Sequence, residues 1–290
     1  MTSSSTTVVP RTKPASTVKR VWQSRNLLYV PLVLMAVFYL IPVYVMLITG
    51  LKGFDEVSLR TMWDLPQSIQ FENFVAAFKE LAPYLWNSFN MVIPAAVISS
   101  ILGSLNGFVL AKWKFRGADI IFPLILFGMF IPYQSILIPL VEFMRRINLY
   151  GGLPGLVLTH VIYGLPITTL TFRNYYASIP KELVEASRMD GAGLLGTYWH
   201  ILLPISIPSF VVVLIWQFTS AWNDFLFAVV LTSPTNWPIT VALNNMAGSQ
   251  IIAWNIQMAG SFLAAVPTLL VYIFLGRYFL RGLMAGALKG

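Results

Sequence analysis

The 290-residue chain is 57% hydrophobic and only 10% charged, against about 25% charged residues in soluble domains, which excludes a large soluble core and points to a polytopic membrane protein. Cysteine is absent, so disulfides, thiol catalysis and thiolate metal sites are excluded. The formal net charge of +8 fits either nucleic acid or basic residues retained on the cytoplasmic side of a membrane, and their placement decides between the two.

Residues 1–25 are rich in Ser, Thr, Val and Pro with five basic residues, and lack apolar periodicity. They read as a disordered tail. A cleaved signal peptide is not expected, because the first apolar run starts late, is too long for an h-region and has no A-x-A-like site after it. Apolar spans follow at 27–51, 85–111, 118–141, 153–172, 204–231 and 258–280. Each can cross ~30 Å of hydrocarbon as a helix. Pro31, Pro42, Pro94, Pro123, Pro132, Pro139, Pro166, Pro208 and Pro267 predict kinked or broken helices whose freed carbonyls are satisfied by neighbours. Six spans put both termini on one side. With the N-terminus inside, inner segments carry fourteen of the nineteen Lys and Arg, and outer segments five. That split predicts both termini in the cytoplasm of a multi-pass protein of the cell (inner) membrane. It accounts for the charge without nucleic acid.

The outer loop 52–83 mixes five acids with Trp63, Phe71, Phe74 and Phe78. Its segment Glu72–Leu81 reads either as a short amphipathic helix at the membrane interface or as solvated loop. In the second span Ser99, Gly103, Gly107 and Ala111 fall four apart and give one helix face of small residues. That face serves a subunit interface or packing within the chain.

No Gly-Lys dipeptide occurs, so there is no P-loop. His160 opens the fourth span from outside and His200 lies in the inner loop, so the two are expected to share neither a metal nor a proton. Neither H-E-x-x-H nor G-x-S-x-G is present. No catalytic residue and no metal site is expected. Asp224, in TSAWNDFLFAVV, is the clearest intramembrane charge and needs water, a partner or the bundle interior. Trp222 and Asn223 add an aromatic face and an amide, the make-up of a small-molecule pocket. These residues line a substrate path, or Asp224 marks a helix break or pairs with a neighbouring subunit. Asn244, Asn245 and Gln250 before the last span, and Tyr133 with Gln134 in the third, are further path candidates.

The inner loop 174–203 has internal pattern. Ser178-Ile-Pro180-Lys-Glu182 supplies a hydroxyl cap, an early proline and an acid in the first turn, and predicts a helix from Pro180 to Asp190. Gly191 stops it, and Gly193 leaves the turn free to bend. Leu183, Ala186, Ser187 and Asp190 share a face, on which the small Ala186 and Ser187 suit the grip of a partner groove. A second helix, Leu194–Leu202, ends before Pro204. The alternative is a rigid connector with no partner.

Glu185-Ala186-Ser187, Gly191 four on from Ser187, then Ile201 and Leu203-Pro204 resemble the EAA motif of ABC-importer permeases, with Asp190-Gly191-Ala192 and Pro208 also in agreement. Ser187 stands where the motif usually has alanine. The six spans, Trp222-Asn223-Asp224-Phe225 and the ending Gly282–Gly290 are similar to sugar-importer permeases related to the maltose system's second permease subunit, over residues 27–290. The resemblance implies an all-α, type I ABC importer (MetI-like) permease fold in a domain spanning 26–290. It implies a heterodimer with a second permease subunit, two ATP-binding subunits that hold ATP and Mg, a solute-binding protein outside, and a sugar, glucoside or polyol as cargo. The cofactors would sit in the ATPases and none in this chain. Glu185, Ala186, Ser187, Asp190, Gly191, Ala192, Ile201, Leu203 and Pro204 would form the coupling loop docked in an ATPase cleft, and the C-terminal tail would approach the ATPases. The rival readings are an ion-coupled secondary transporter acting without an ATPase and a membrane scaffold.

Overall fold

The computed structural model describes residues 17–113, 115–248 and 253–287. Residues 1–16 of the expected tail, Gln250 and the last three residues lie outside that set. The described chain is helical, and its one extended pairing is an isolated bridge between Gly151 and Thr232.

Helix α1 is Thr17–Gly50, α2 Glu72–Lys112, α3 Ala118–Phe127, α4 Leu137–Arg146 and α5 Leu153–Ala177. After them come α6 (Lys181–Met189), α7 (Leu194–Thr197), a π turn at Tyr198–Leu202, α8 (Leu203–Ile205), α9 (Ile207–Trp222), α10 (Leu226–Leu231), α11 (Ile239–Ala247) and α12 (Trp254–Ala287). Among the described residues, four helices are long and apolar enough to cross a membrane, or up to six if each of two bent pairs is one span.

Several boundaries differ from the sequence expectation, each for a physical reason. α1 begins at Thr17, inside the expected tail, because adding a turn to an existing helix avoids the cost of nucleation. Glu72–Leu81 is neither a separate interfacial helix nor a loop. It is the start of α2, which runs for 41 residues, about 60 Å at helical rise. Hydropathy marks where a helix meets lipid, not where it begins. The span expected at 118–141 is two helical segments bent by 90°. Ile131, held extended (ψ 117°) before Pro132, makes the break, as the crowding of a pre-proline residue requires. The span expected at 204–231 is α9 and α10 separated by Asn223–Phe225.

α2 lies along α5, with α9 and α12 against it and α1 leaning on α12. The stripe of small residues faces α5 within the chain. A β-carbon on Gly103 would overlap Thr168, and one on Gly107 would sit 2.6 Å from the Arg173 nitrogen, so the two backbones touch where only glycine permits it. Two apolar clusters result. One, around Leu81, Leu156, Trp222 and Phe227, fills the end of the bundle where α1 stops and α2 and α12 start. The other, around Phe108, Phe172, Tyr176, Tyr198 and Leu202, fills the opposite end. At the first end, Asn73 donates to the carbonyls of Gly50 (2.9 Å) and Lys52 (2.8 Å), and Asn255 donates to Asn73 Oδ1 at 3.1 Å. The ends of α1, α2 and α12 are tied there.

Candidate functional site

At the Lys112 end of α2 the chain forms a helix, a glycine turn and a second helix. Pro180 occupies the N-cap of α6 and no side chain caps it. The expected cap, Ser178, belongs to the end of α5, where its hydroxyl donates to the Tyr175 carbonyl at 2.8 Å. The glycine turn is a Schellman motif: Ala192 N–H bonds the Ser187 carbonyl (2.9 Å) and Gly191 N–H the Arg188 carbonyl (3.0 Å). Gly191 takes φ +83°, a left-handed conformation that glycine adopts without a β-carbon penalty. This is the physical reason for Asp190-Gly191-Ala192 in that order. Gly193 is extended, at φ −72° and ψ −179°, and needs no glycine-specific conformation.

The two faces of α6 differ from the sequence assignment. Ser187 is buried rather than presented outward. Its hydroxyl donates to the Val184 carbonyl at 2.8 Å and lies 2.9 Å from Thr197 Oγ1, so Thr197 supplies the second proton. Val184 and Ser187 therefore face the second helix. Leu183, Glu185, Ala186, Met189 and Asp190 face outward, Met189 at 88% exposure. Arg188 lies over the Trp113 ring at 4.2 Å, and Lys112 donates to the Ile179 carbonyl, fixing the element to the end of α2.

The second helix does not end before Pro204. It widens to the π turn and continues through Leu203 and Pro204 to Ile205, then bends by 79° into α9. Pro204 lacks an N–H and its ring would meet the carbonyl four residues back, so a wider turn ahead of it relieves the clash. Ile201 is half-buried, and Leu203 packs against the cluster around Phe108, Phe172 and Tyr176. His200 is exposed, its Nδ1 3.0 Å from the Gly196 carbonyl oxygen.

The second candidate is a cavity of about 1050 Å³ between α3, the Tyr133 turn, α5 and the α9–α10 break. Asp224 occupies the break. Its Oδ1 accepts from Phe227 N–H (3.3 Å) and its Oδ2 from Ala228 N–H (3.0 Å), which satisfies the free amides at the start of α10. Thr240 donates to the Asp224 carbonyl at 2.7 Å. The buried His160 Nε2 lies 3.4 Å from Asp224 Oδ2, in contact but outside hydrogen-bond geometry. Phe227 gathers three rings, with centroids 5.0 Å from Tyr163, 5.5 Å from Tyr133 and 6.1 Å from His160. Asn223, Ser220 and Gln217 complete a polar edge.

The expected path residues divide. Tyr133, Asn223 and Asp224 line the cavity. Trp222 does not: it is 2% exposed, stacks on Phe218 and donates its indole N–H to the Ala264 carbonyl at 3.0 Å, because the last residue of α9 points into the cluster around Leu81, Leu156 and Phe227. Gln134, Asn244 and Asn245 are exposed outside the cavity. His160, Tyr163, Gln217 and Phe227 escaped the sequence reading. His160, Tyr163, Gly164 and Ile167 carry the i, i+3, i+4, i+7 pattern of one helix face, and Gln217 is an amide inside an apolar run. Both signals were available. His160 also lies within α5 beside Asp224, not at the mouth of a span.

The family described as binding-protein-dependent transport system inner membrane component matches residues 99–284. The chain is 46% identical over 274 residues to a Pyrococcus horikoshii protein named "Probable ABC transporter permease protein", covering 94% of this chain and all of the relative. It is 34% identical to the xylose/arabinose import permease protein XacI of Haloferax volcanii (94% of this chain, 96% of the relative) and 34% identical to the glucose import system permease protein GlcU of Saccharolobus solfataricus (90% and 93%). In three dimensions it superposes on a chain of a bacterial ABC transporter involved in alginate import with a TM-score of 0.77 at 23% identity, over 92% of this chain and all of that one. With a chain of the MetNI methionine ABC transporter the TM-score is 0.52 at 18% identity, over 78% and 99%.

Proposed function

This chain belongs to the family of inner membrane components of binding-protein-dependent transport systems, is a multi-pass ABC importer permease of type I fold, and on that premise we propose that its cargo is a sugar or a related glucoside or polyol. The observation that carries the cargo class is near full-length similarity to permeases named for xylose, arabinose and glucose import. The cavity supports it chemically. Rings on one side and Asp224, Asn223, Ser220 and Gln217 on the other suit a ring with an apolar face and hydroxyl edges. In this reading Tyr133, Asn223 and Asp224 line the path, joined by His160, Tyr163 and Phe227. Trp222 supports the wall from behind, and Gln134, Asn244 and Asn245 take no part.

The chain pairs with a second permease subunit. Two ATPase subunits, which hold ATP and Mg, drive the pair, and a solute-binding protein outside feeds it. Both termini and α6–α8 face the cytoplasm, in keeping with the fourteen basic residues assigned there. Leu183, Glu185, Ala186, Met189 and Asp190 form the face that enters an ATPase cleft, a helix-in-groove contact. Gly191 and Ala192 fix its angle, and Ser187, Ile201, Leu203 and Pro204 hold the second helix beneath it. Closure of the ATPase dimer moves the docked helices and turns the permease pair from inward-open to outward-open.

The test is reconstitution of the complex with its partner permease, ATPases and binding protein. ATPase activity is then measured with glucose, xylose, arabinose and diacetylchitobiose. Stimulation by at least one sugar, in the presence of the binding protein, is expected. Uptake that follows an imposed ion gradient without ATP would overturn the reading in favour of a secondary transporter.

A further inference from the structure

Four hydroxyls tie the second helix of the α6–α8 element to the spans. Tyr198, fully buried at the start of the π turn, stacks on Phe108 with centroids 6.0 Å apart. Its hydroxyl donates to Ser104 Oγ at 3.0 Å. Ser104 Oγ lies 2.6 Å from Tyr176 Oη, Tyr176 donates to Ser206 Oγ at 3.1 Å, and Ser206 donates to the Leu203 carbonyl at 2.9 Å. A hydroxyl has one proton to give. Tyr198 gives its proton to Ser104 and Tyr176 gives its own to Ser206, so Ser104 is the donor in the 2.6 Å contact. The direction of the chain is thereby forced, with each proton used once and the last on a backbone carbonyl.

The placement of the chain matters more than its length. Tyr198 and Ser206 bracket the π turn and the 79° bend into α9. Ser104 and Tyr176 sit on α2 and α5, the pair pressed together at Gly103 and Gly107. Apolar packing alone lets helices slide past one another, whereas a buried, fully satisfied polar network has one register and opposes slippage. Polar contacts continue at both ends. Ser187 meets Thr197, the residue before Tyr198, at 2.9 Å. One turn along α2, Gln217 Nε2 donates to Ser99 Oγ at 2.8 Å, and Gln217 lines the cavity.

We propose that the Tyr198–Ser104–Tyr176–Ser206 chain is the joint through which displacement of α6–α8 turns α2 and α5, with Tyr198 and Ser104 as positioning residues for transport. The proposal rests on the reading of α6 as the ATPase-docking helix.

The test uses the absence of native cysteine. Ser220→Cys places a single thiol on the cavity wall in the assembled complex, and N-ethylmaleimide labelling of this subunit is followed with and without ATP plus vanadate. The parent is expected to change its labelling rate by about fivefold or more, the range of ordinary allosteric coupling. Adding Tyr198→Phe, which keeps the ring, or Ser104→Ala is expected to bring that ratio close to one. ATPase copurification stays at the parent's value. The unfolding temperature falls by the few degrees that a lost buried hydrogen bond costs, as it does for Trp222→Phe, which keeps the parent's labelling ratio. The double variant is no worse than either single one. A nucleotide-dependent change that survives in both single variants, with the complex assembled, overturns the joint while leaving docking intact. Failure of the ATPase to copurify with the parent chain overturns both.

Discussion

The hydroxyl chain at the α6–α8 end and the polar edge of the cavity are built differently. At the α6–α8 end, every hydroxyl from Tyr198 to Ser206 has an acceptor, and the last proton ends on a backbone carbonyl. At the cavity, His160 Nε2 is buried 3.4 Å from Asp224 Oδ2, Gln217 Nε2 is held by Ser99 Oγ, and Asn223 and Ser220 border open space. A closed network resists deformation, whereas an open set of donors and acceptors is available to a ligand. On the proposed reading, the same helices carry a stiff end that receives force and a polar cavity wall that holds the solute.

The sharpest way to break this contrast is at the bend that aims α6. Gly191→Val puts a β-branched residue at φ +83°, at a cost of about 1–2 kcal/mol. Transport and ATPase copurification are expected to be lost while the permease still inserts, as read by uptake and pull-down from the same membranes. Next is the cavity. Asp224→Ala leaves the Phe227 and Ala228 amides uncapped, worth about 1 kcal/mol, and removes the carboxylate from the wall. Loss of an interaction of about 1.4 kcal/mol with solute corresponds to a tenfold rise in the uptake KM. Uptake kinetics of Asp224→Ala and Asp224→Asn at matched expression provide the check, and normal transport by both removes Asp224 from the path. A smaller effect is expected at Trp222→Phe. It loses the indole bond to Ala264, about 1 kcal/mol of stability, and lowers the unfolding temperature without a selective change in KM. Smallest of all, Gln134→Ala and Asn245→Ala should leave uptake within about twofold, since exposed substitutions away from special features are close to neutral.

Local features were legible in the sequence. The apolar spans, the stop at Gly191 and the small-residue stripe each depend on residues within a few positions of one another, and α6 follows its expected bounds to within one residue at either end. Features set by distant partners were not. Ser187 looks like part of an outer face until Thr197 comes back across the turn to meet it. His160 looks like a residue at a membrane edge until α10 brings Asp224 beside it. Trp222 and Asp224 are neighbours in sequence, yet the end of α9 sends one into the core and the other into the cavity. Prolines forecast breaks, but Pro123 sits inside α3 while the third span breaks at Pro132, with Ile131 extended before it. The hydroxyl chain joins four separate segments, and no spacing rule links Ser104 to Tyr198.

On the reading of α6 as the ATPase-docking helix, the face that makes the contact decides whether force enters where the stiff end lies. In the cysteine-free chain, Met189→Cys, Ala186→Cys and Ser187→Cys can be compared by cross-linking to the ATPase subunit with a short bifunctional thiol reagent in native membranes. Cross-linked product at positions 189 and 186 and little at 187 is the predicted result, because the first two side chains face outward and the third is bonded to Thr197. Equal cross-linking at all three, or product at 187 alone, would contradict it.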